Sequence, residues 1–152
     1  MISRADLLPP LTLAGPDGPW RVPGPGTLAS ALVFVHPGRC GPCTGYLAEL
    51  DSIVDDIRSW GTQLLAVAVD GLDDRHRFAV LLDEGGVARR RLGIGVDAAV
   101  ILADRWGEVM EATTIGPGHE FPLASQLVES AKIVDLSCGE CNVPGPEWRA
   151  EV

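Results

Sequence analysis

The sequence predicts an α/β fold, with a central mixed β-sheet flanked by helices, in a single domain of 152 residues. Two continuously apolar runs, at 31–35 and 64–69, are typical of strands buried on both faces. Between them, apolar residues recur at helical spacing over 44–57. Strand, helix and strand form a β-α-β unit, which requires a parallel pair of strands. Apolar runs at 99–102 and 109–115 flank a short turn signal and add an antiparallel hairpin.

The remaining segments are predicted to extend this core. In the Pro- and Gly-rich N-terminal segment, Pro16-Asp17-Gly18-Pro19 is a turn signal between two short strands. Short helices are expected at 73–78 and 87–92, and the amphipathic stretch 121–136 predicts a closing helix. No linker separates domains, so the chain divides into an N-terminal β extension (1–30), a core (31–136) and a C-terminal tail (137–152).

A C-x-x-C motif, Cys40-Gly41-Pro42-Cys43, follows the first buried strand and opens the predicted helix. At positions i and i+3, both sulfurs lie on one face of the first helical turn. The free N–H groups and the positive end of the helix dipole stabilise a thiolate there, and thiolate is the nucleophile of disulfide exchange. Pro42 suits this position because its missing N–H is not required, and Arg39 adds positive charge beside Cys40. The motif predicts a dithiol–disulfide active site at Cys40 and Cys43, with Gly41 and Pro42 shaping the turn.

The order of these elements, with C-G-P-C opening the first long helix, resembles the three-layer thioredoxin fold. Within that fold, the chain is similar to the redoxin branch, of the alkyl hydroperoxide reductase/thiol-specific antioxidant type. The segments 78–83, 87–94 and 100–107 match that branch's lead into a helix and its strand-then-turn signature. The resemblance covers roughly residues 5–136. It implies a thiol–disulfide oxidoreductase in which Cys40 attacks a disulfide and Cys43 resolves the mixed disulfide.

Three positions depart from the thioredoxin pattern. Arg39 stands before the first cysteine, where thioredoxins usually have tryptophan. The buried carboxylate that accepts a proton from the second cysteine would fall at Phe34. The cis-proline opposite the dithiol aligns with Ala98, and because a cis bond without proline costs about 2.5–4 kcal/mol, we expect a trans bond there. The resemblance implies that this loop shapes the substrate groove, and its change leaves the sulfurs less shielded and could admit a metal ion.

The peroxidase members of this branch suggest an alternative activity. They share a Pro-x-x-x-Thr/Ser-x-x-Cys arrangement around the peroxidatic cysteine. Counted back from Cys40, those places hold Val33 and Pro37, and from Cys43 they hold His36 and Cys40. Neither register supplies the hydroxyl, so the motif does not support a thiol peroxidase. A peroxidase that uses Cys40 and Cys43 as attacking and resolving thiols stays open.

A second C-x-x-C pair, Cys138 and Cys141, follows the predicted closing helix. In the predicted fold this helix runs away from the first dithiol, and its sixteen residues at about 1.5 Å each place its end about 24 Å from its start. One subunit could therefore not join the two pairs into a Cys₄ zinc site or a relay, whereas contact between subunits could. Three roles stay open for Cys138 and Cys141: a structural or dimer-bridging pair that holds zinc or an iron–sulfur cluster, a second redox pair, or idle thiols.

Histidines and arginines near these motifs have competing interpretations. His36 could act as a general base or orient the thiolate, but a histidine at the end of a buried strand is more often a packed, hydrogen-bonded residue. His76 and His119 have no partner at metal-ligand spacing and are predicted to be solvated. The run Arg89-Arg90-Arg91 predicts an exposed helix face.

Charge and hydropathy narrow the class of protein. A net charge of −9 with a single lysine argues against nucleic-acid binding, which needs a cationic surface. No apolar run approaches the ~20 residues of a membrane-spanning helix, and the first residues lack the apolar segment of a secretory signal. We therefore expect a cytoplasmic protein without a membrane partner. That compartment keeps thiols reduced, so C-x-x-C there indicates redox cycling or metal binding.

The sequence thus favours a thiol–disulfide oxidoreductase that needs no cofactor. Its expected partners are a protein or small-molecule disulfide as substrate and a dithiol as reductant. A metal-binding protein of the same fold and a thiol peroxidase are the alternatives. The sequence leaves open whether the protein forms a homodimer.

Overall fold

The computed structural model describes residues 1–23, 28–72 and 75–137. Its centre is a seven-stranded sheet with the strand order β2-β1-β5-β4-β3-β6-β7. The central strands β3, β4 and β6 are composed almost wholly of buried residues, as the continuous apolar runs predict. The strands are β1 (Leu11–Gly15), β2 (Gly18–Val22), β3 (Ala29–Phe34), β4 (Thr62–Ala68), β5 (Ala79–Leu82), β6 (Ala98–Ala103) and β7 (Val109–Ile115).

Strand direction in this sheet is mixed. β3, β4 and β5 run parallel, whereas β6 is antiparallel to β3 and β7 is antiparallel to β6. β7 therefore runs in the same direction as β3. As a result, the segments that follow β3, β4 and β7 all leave the sheet at one edge, and the segment that leads into β6 enters there too. This edge carries the candidate site.

Helices cover both faces of the sheet and make the fold three-layered. The helix predicted over 44–57 is divided into α1 (Gly41–Leu50), a 3₁₀ turn (Asp51–Ile53) and α2 (Val54–Ser59). Two further helices are α3 (Val87–Arg91) and α4 (Ala124–Leu136). The α/β class, the mixed sheet, the β-α-β unit and the hairpin of β6 and β7 are confirmed.

Two apolar clusters, one on each side of the sheet, hold these layers together. Along β3, Ala31 and Val33 pack into the cluster formed with α1, α2 and α4. Leu32 and Phe34 pack into the opposite cluster, which includes Leu92 after α3. Side chains alternate between the faces of a strand, so a strand that is covered on both sides has to be apolar throughout.

The predicted N-terminal hairpin is present and belongs to the main sheet. Its strands β1 and β2 are joined through Pro16 and Asp17, and Gly15 pairs with Gly18. β1 in turn lies antiparallel to β5 through Ala14 and Leu82. The N-terminal segment therefore adds two strands beside β5, on one lateral side of the core sheet.

The short helix predicted over 73–78 is wrong for its described part, residues 75–78, which are not helical. The Asp51 carboxylate explains the difference. It accepts the backbone N–H of Arg77 at 2.8 Å and lies 2.9 Å from His76 Nδ1. These bonds tie the segment to the end of α1, and β5 begins directly afterwards at Ala79.

The closing helix α4 begins at Ala124, three residues later than predicted. Pro122 disfavours helical backbone at the residue before it, Phe121. The Leu123 N–H donates to Oε1 of Gln126 at 2.9 Å, which caps the helix start. Residues Cys138 and Cys141 lie outside the described residues. Within the described segments, no helix is long and apolar enough to cross a membrane.

Candidate functional site

The C-x-x-C motif lies where β3 passes into α1, at the sheet edge described above. Cys40 is the N-cap of α1, with extended backbone, and Gly41 is the first helical residue. The backbone N–H and the hydroxyl of Thr44 both donate to the Cys40 carbonyl, at 3.0 and 3.1 Å. Pro42 stands in the first turn, where its missing N–H leaves no hydrogen bond unmade. The local sequence therefore builds the helix start that the motif predicts.

The two thiols are free and differ in exposure. Cys40 is half-buried, whereas Cys43 is only 2% exposed. Burial is the main cause that raises the pKa of the Cys43 thiol to about 11, and a hydrogen bond from the His36 N–H opposes the rise. The accessible sulfur is thus the first cysteine, and the second is a protonated thiol at neutral pH.

His36 contacts the buried sulfur directly. Its backbone N–H donates to Cys43 Sγ at 3.4 Å, and its Nδ1 lies 3.2 Å from the same sulfur. Nδ1 is also 3.9 Å from Cys40 Sγ. The other ring nitrogen, Nε2, is buried without a hydrogen-bond partner among the described residues. His36 is therefore packed and hydrogen-bonded, and its Nδ1 lies within hydrogen-bond distance of the Cys43 sulfur.

His119 contacts the other sulfur, and the prediction that it is solvated was wrong. Its Nε2 lies 3.1 Å from Cys40 Sγ, and its ring meets the His36 ring edge-on at 4.7 Å between centroids. His119 has a left-handed backbone (φ +54°), stabilised by its N–H bond to the Gly116 carbonyl at 3.1 Å. Phe121 anchors the same loop by stacking on Tyr46 of α1, with 4.2 Å between ring centroids.

Only strand direction could have identified His119 from the sequence. The loop after β7 reaches the dithiol because β7 runs parallel to β3, so the two loops leave the sheet at the same edge. Local spacing carries no such signal, since 79 positions separate His119 from Cys40. His76 was also predicted to be solvated, but its side chain is only 3% exposed and bonds Asp51.

These contacts bring two thiols and two imidazoles into one cluster. One ligand atom from each of His36, Cys40, Cys43 and His119 lies within 4.8 Å of all the others. Sulfur and imidazole nitrogen are both nucleophiles, bases and metal ligands. The cluster can therefore carry out thiol chemistry with proton transfer, or hold a metal ion.

A cavity of about 500 Å³ opens beside the dithiol and gives access to it. Arg39 and Asp70 line it together with the two cysteines. Asp70, which follows β4, accepts the Gly38 N–H at 3.1 Å and so fixes the loop before the motif. The residue that replaces the thioredoxin tryptophan thus lies at the mouth of the site.

Arg89 is buried next to the site, so the prediction of an exposed helix face at 89–91 is wrong for this residue. It is only 4% exposed, while its neighbours Arg90 and Arg91 are on the surface. Its guanidinium donates to three backbone carbonyls: Val35 at 2.6 Å, Gly95 at 2.8 Å and Asp97 at 2.8 Å. It thereby joins the end of β3 to the loop before β6.

The positive charge of Arg89 also interacts electrostatically with the Cys43 thiol of the pair. Burial lowers the pKa of the Arg89 guanidinium, while Asp83 and Cys43 raise it. In return, Arg89 lowers the pKa of Cys43, although burial outweighs this effect. A run of three arginines gives no indication of which one is buried, so the sequence could not single out Arg89.

The two other positions that depart from the thioredoxin pattern are apolar and buried. Phe34 is fully buried at the end of β3. Ala98 begins β6, is fully buried and pairs with Ile115. Among the described residues, the one cis peptide bond is Val22–Pro23, so the bond before Ala98 is trans. The Arg89 guanidinium donates to the carbonyl of Asp97, the residue before Ala98.

Comparison with known proteins gives structural likeness only. No protein-family model matches the sequence, and no curated protein matches it either. Among solved structures, a protein assigned as the thiol:disulfide interchange protein DsbE from Chlorobium tepidum is 22% identical, with a TM-score of 0.71, covering 87% of this chain and 99% of that one.

Two mycobacterial proteins are similar in structure at lower identity. Peroxidoxin BcpB from Mycobacterium tuberculosis has a TM-score of 0.76 at 13% identity, covering 88% of this chain and 99% of that one. AhpC from the same organism has a TM-score of 0.73 at 13% identity, covering 93% and 98%. At these identities the likeness concerns the fold. The chain has the thioredoxin-like fold of the redoxins.

Proposed function

We propose that this chain is a thiol–disulfide oxidoreductase in which Cys40 attacks a disulfide and Cys43 resolves the intermediate. The observation that carries the proposal is the unequal exposure of the two sulfurs on one helical turn. Cys40 is half-buried at the N-terminus of α1, and Cys43 is buried beneath it. A nucleophile has to reach its substrate, whereas a resolving thiol only has to reach its neighbour.

The reaction takes two exchange steps. The Cys40 thiolate attacks one sulfur of a substrate disulfide R–S–S–R′, forming a Cys40–S–S–R bond and releasing R′–S⁻. Cys43 then loses its proton and attacks Cys40 Sγ, so that the Cys40–Cys43 disulfide forms and R–S⁻ leaves. Two electrons pass from the protein dithiol to the substrate. An external dithiol restores the reduced form, in keeping with the cytoplasmic location expected from the sequence.

His36 is the proton acceptor for the second step. Burial raises the pKa of Cys43 to about 11, so this thiol needs a base at neutral pH. Thioredoxins place a carboxylate beneath the site, but Phe34 stands at that position. His36 Nδ1, 3.2 Å from Cys43 Sγ, is within direct proton-transfer distance. His119, against Cys40, stabilises the attacking thiolate by a hydrogen bond.

The proposal is tested by trapping the intermediate. We expect Cys43→Ser, treated with a model disulfide, to accumulate a mixed disulfide on Cys40 by mass spectrometry, and Cys40→Ser to form none at the site. His36→Asn should lengthen the lifetime of the mixed disulfide while leaving the first attack largely unchanged. The full-length double variant Cys138→Ser/Cys141→Ser is the control and should behave as wild type. An adduct that forms on Cys43 while Cys40 is intact would overturn the assignment of roles.

Peroxide reduction receives less support from the site. Peroxidases of this branch need a hydroxyl near the reactive sulfur, but the Thr44 hydroxyl donates to the Cys40 carbonyl. We therefore expect the reduced protein to react faster with a model disulfide than with hydrogen peroxide. Stopped-flow measurement of both rates on the same preparation decides between the two activities, and a faster peroxide reaction would replace the proposal with a peroxidase.

A further inference from the structure

We propose that the reduced form of the protein binds one Zn²⁺ ion through Cys40, Cys43, His36 and His119. The ligand atoms would be the two Sγ atoms, Nδ1 of His36 and Nε2 of His119. This site uses the dithiol but does not depend on the oxidoreductase activity, since it requires only that both thiols are reduced. It differs from the metal site considered for Cys138 and Cys141.

The distances within the cluster match tetrahedral coordination. With Zn–S of about 2.3 Å and Zn–N of about 2.0–2.1 Å, neighbouring sulfur and nitrogen ligands are about 3.5 Å apart. Three of the four sulfur–nitrogen distances are 3.1, 3.2 and 3.9 Å. Each lies within about 0.4 Å of the tetrahedral value. All four ligand atoms lie within 4.8 Å of one another, so side-chain rotations have to bring the more distant pairs closer for the atoms to surround one ion.

The donor set selects zinc among common metals. Two thiolates and two imidazoles in a tetrahedral arrangement favour Zn²⁺ or an iron–sulfur centre, whereas Mg²⁺ and Ca²⁺ prefer oxygen. In a two-iron centre with this donor set, one iron takes both cysteines and the other takes both histidines. Here each sulfur has an imidazole nitrogen within 3.2 Å, which suits one shared ion. Two thiolates also neutralise the charge of Zn²⁺.

Backbone and exposure favour a preformed, accessible site. Cys40 and Cys43 are fixed by α1, His36 by the end of β3, and His119 by the Phe121–Tyr46 stacking. Because Cys40 and His119 are half-buried and the cavity of about 500 Å³ adjoins the dithiol, an ion can enter from solvent.

Zinc binding and disulfide formation exclude each other because both use the same sulfurs. When a disulfide R–S–S–R oxidises the loaded site, the two thiolates give up two electrons and form the Cys40–Cys43 bond. The products are two R–S⁻ ions and free Zn²⁺. Metal release is thus expected to be stoichiometric with oxidation of the dithiol.

The test uses full-length Cys138→Ser/Cys141→Ser protein, so that the second cysteine pair contributes no ligand. Reduced, metal-free protein is titrated with Zn²⁺ in competition with a chromophoric chelator, and we expect one ion per chain. His119→Asn should weaken binding at least about tenfold, because asparagine tolerates the left-handed backbone but supplies no imidazole. His76→Asn is the matched control and should bind as the parent does. Circular dichroism checks that each variant is folded.

Two further measurements complete the test. Cys40→Ser, at the half-buried position of the pair, should also lose affinity, and circular dichroism again checks that the variant is folded. Co²⁺ in place of Zn²⁺ should give the visible spectrum of a tetrahedral ion with thiolate ligands. The proposal is overturned if the reduced parent binds no Zn²⁺, if His119→Asn binds as tightly as His76→Asn, or if the ion stays bound after full oxidation to the Cys40–Cys43 disulfide.

Discussion

Replacing Arg89 with methionine tests the claim that one buried guanidinium holds the two loops of the site together. Methionine keeps most of the apolar stem but removes the charge and all three hydrogen bonds to Val35, Gly95 and Asp97. Each bond to a charged donor contributes about 1.5–3 kcal/mol, and a buried carbonyl left without a partner adds a desolvation cost.

The net effect is smaller than the sum of the three bonds, because the guanidinium was itself desolvated on folding. Burial lowers the pKa of Arg89, which is the sign of that cost. A buried polar group left without its partner costs about 1–3 kcal/mol, and three carbonyls lose their donor, so we expect Arg89→Met to destabilise the protein by about 3–5 kcal/mol. Since small domains have about 5–15 kcal/mol of stability, the variant should still fold in water.

Urea unfolding followed by circular dichroism measures the change in the free energy of unfolding. Arg90→Met is the matched control, because Arg90 is the next residue of α3 and is exposed. A surface substitution changes stability by about 0.5 kcal/mol or less. Arg89→Lys should be intermediate, since an ammonium keeps the charge without the planar donor array. If Arg89→Met and Arg90→Met lose the same stability, the proposed role of Arg89 is wrong.

Two other predictions concern titration and local structure. Burial raises the pKa of Cys43 from 9.0 to about 11 in the folded protein. The stability of wild type relative to Cys43→Ala is therefore fully present below pH 9.0 and is lost as the pH rises towards about 11. Unfolding curves that keep a constant difference across this range would contradict the burial argument. Asp51→Ala removes the acceptor for the Arg77 N–H and for His76, and should lower the free energy of unfolding in urea by about 1–3 kcal/mol. Asp56→Ala, on the exposed side of α2, is the control and should lower it by less than about 1 kcal/mol. Equal losses of stability would show that Asp51 does not hold that segment.

Local sequence pattern was sufficient for much of the fold. Buried strands are continuously apolar and the helices carry apolar residues at helical spacing, so the β-α-β unit and the hairpin of β6 and β7 could be predicted. The C-x-x-C motif also predicted its own position at the start of α1, because cysteine spacing and Pro42 describe a helix end. These signals lie within a few residues of one another.

The parts that could not be predicted depend on contacts between distant segments. His119 reaches Cys40 through the direction of β7, and Arg89 is buried because α3 packs its side chain under the end of β3. Asp51 prevents a helix at 75–78 by bonding a backbone N–H twenty-six positions away. In each case the residue type is ordinary, and its role arises from what the chain places opposite it.

The Phe121–Tyr46 stacking attaches the loop of His119 to α1, the same helix that carries both cysteines. His36 belongs instead to the end of the central strand β3. If α1 shifts against the sheet during turnover, His119 travels with Cys40 and their spacing is preserved, whereas the gap between His36 and Cys43 opens or closes. The imidazole NMR signals of the two histidines would then respond differently to substrate, because His119 moves with the helix while His36 stays with the sheet.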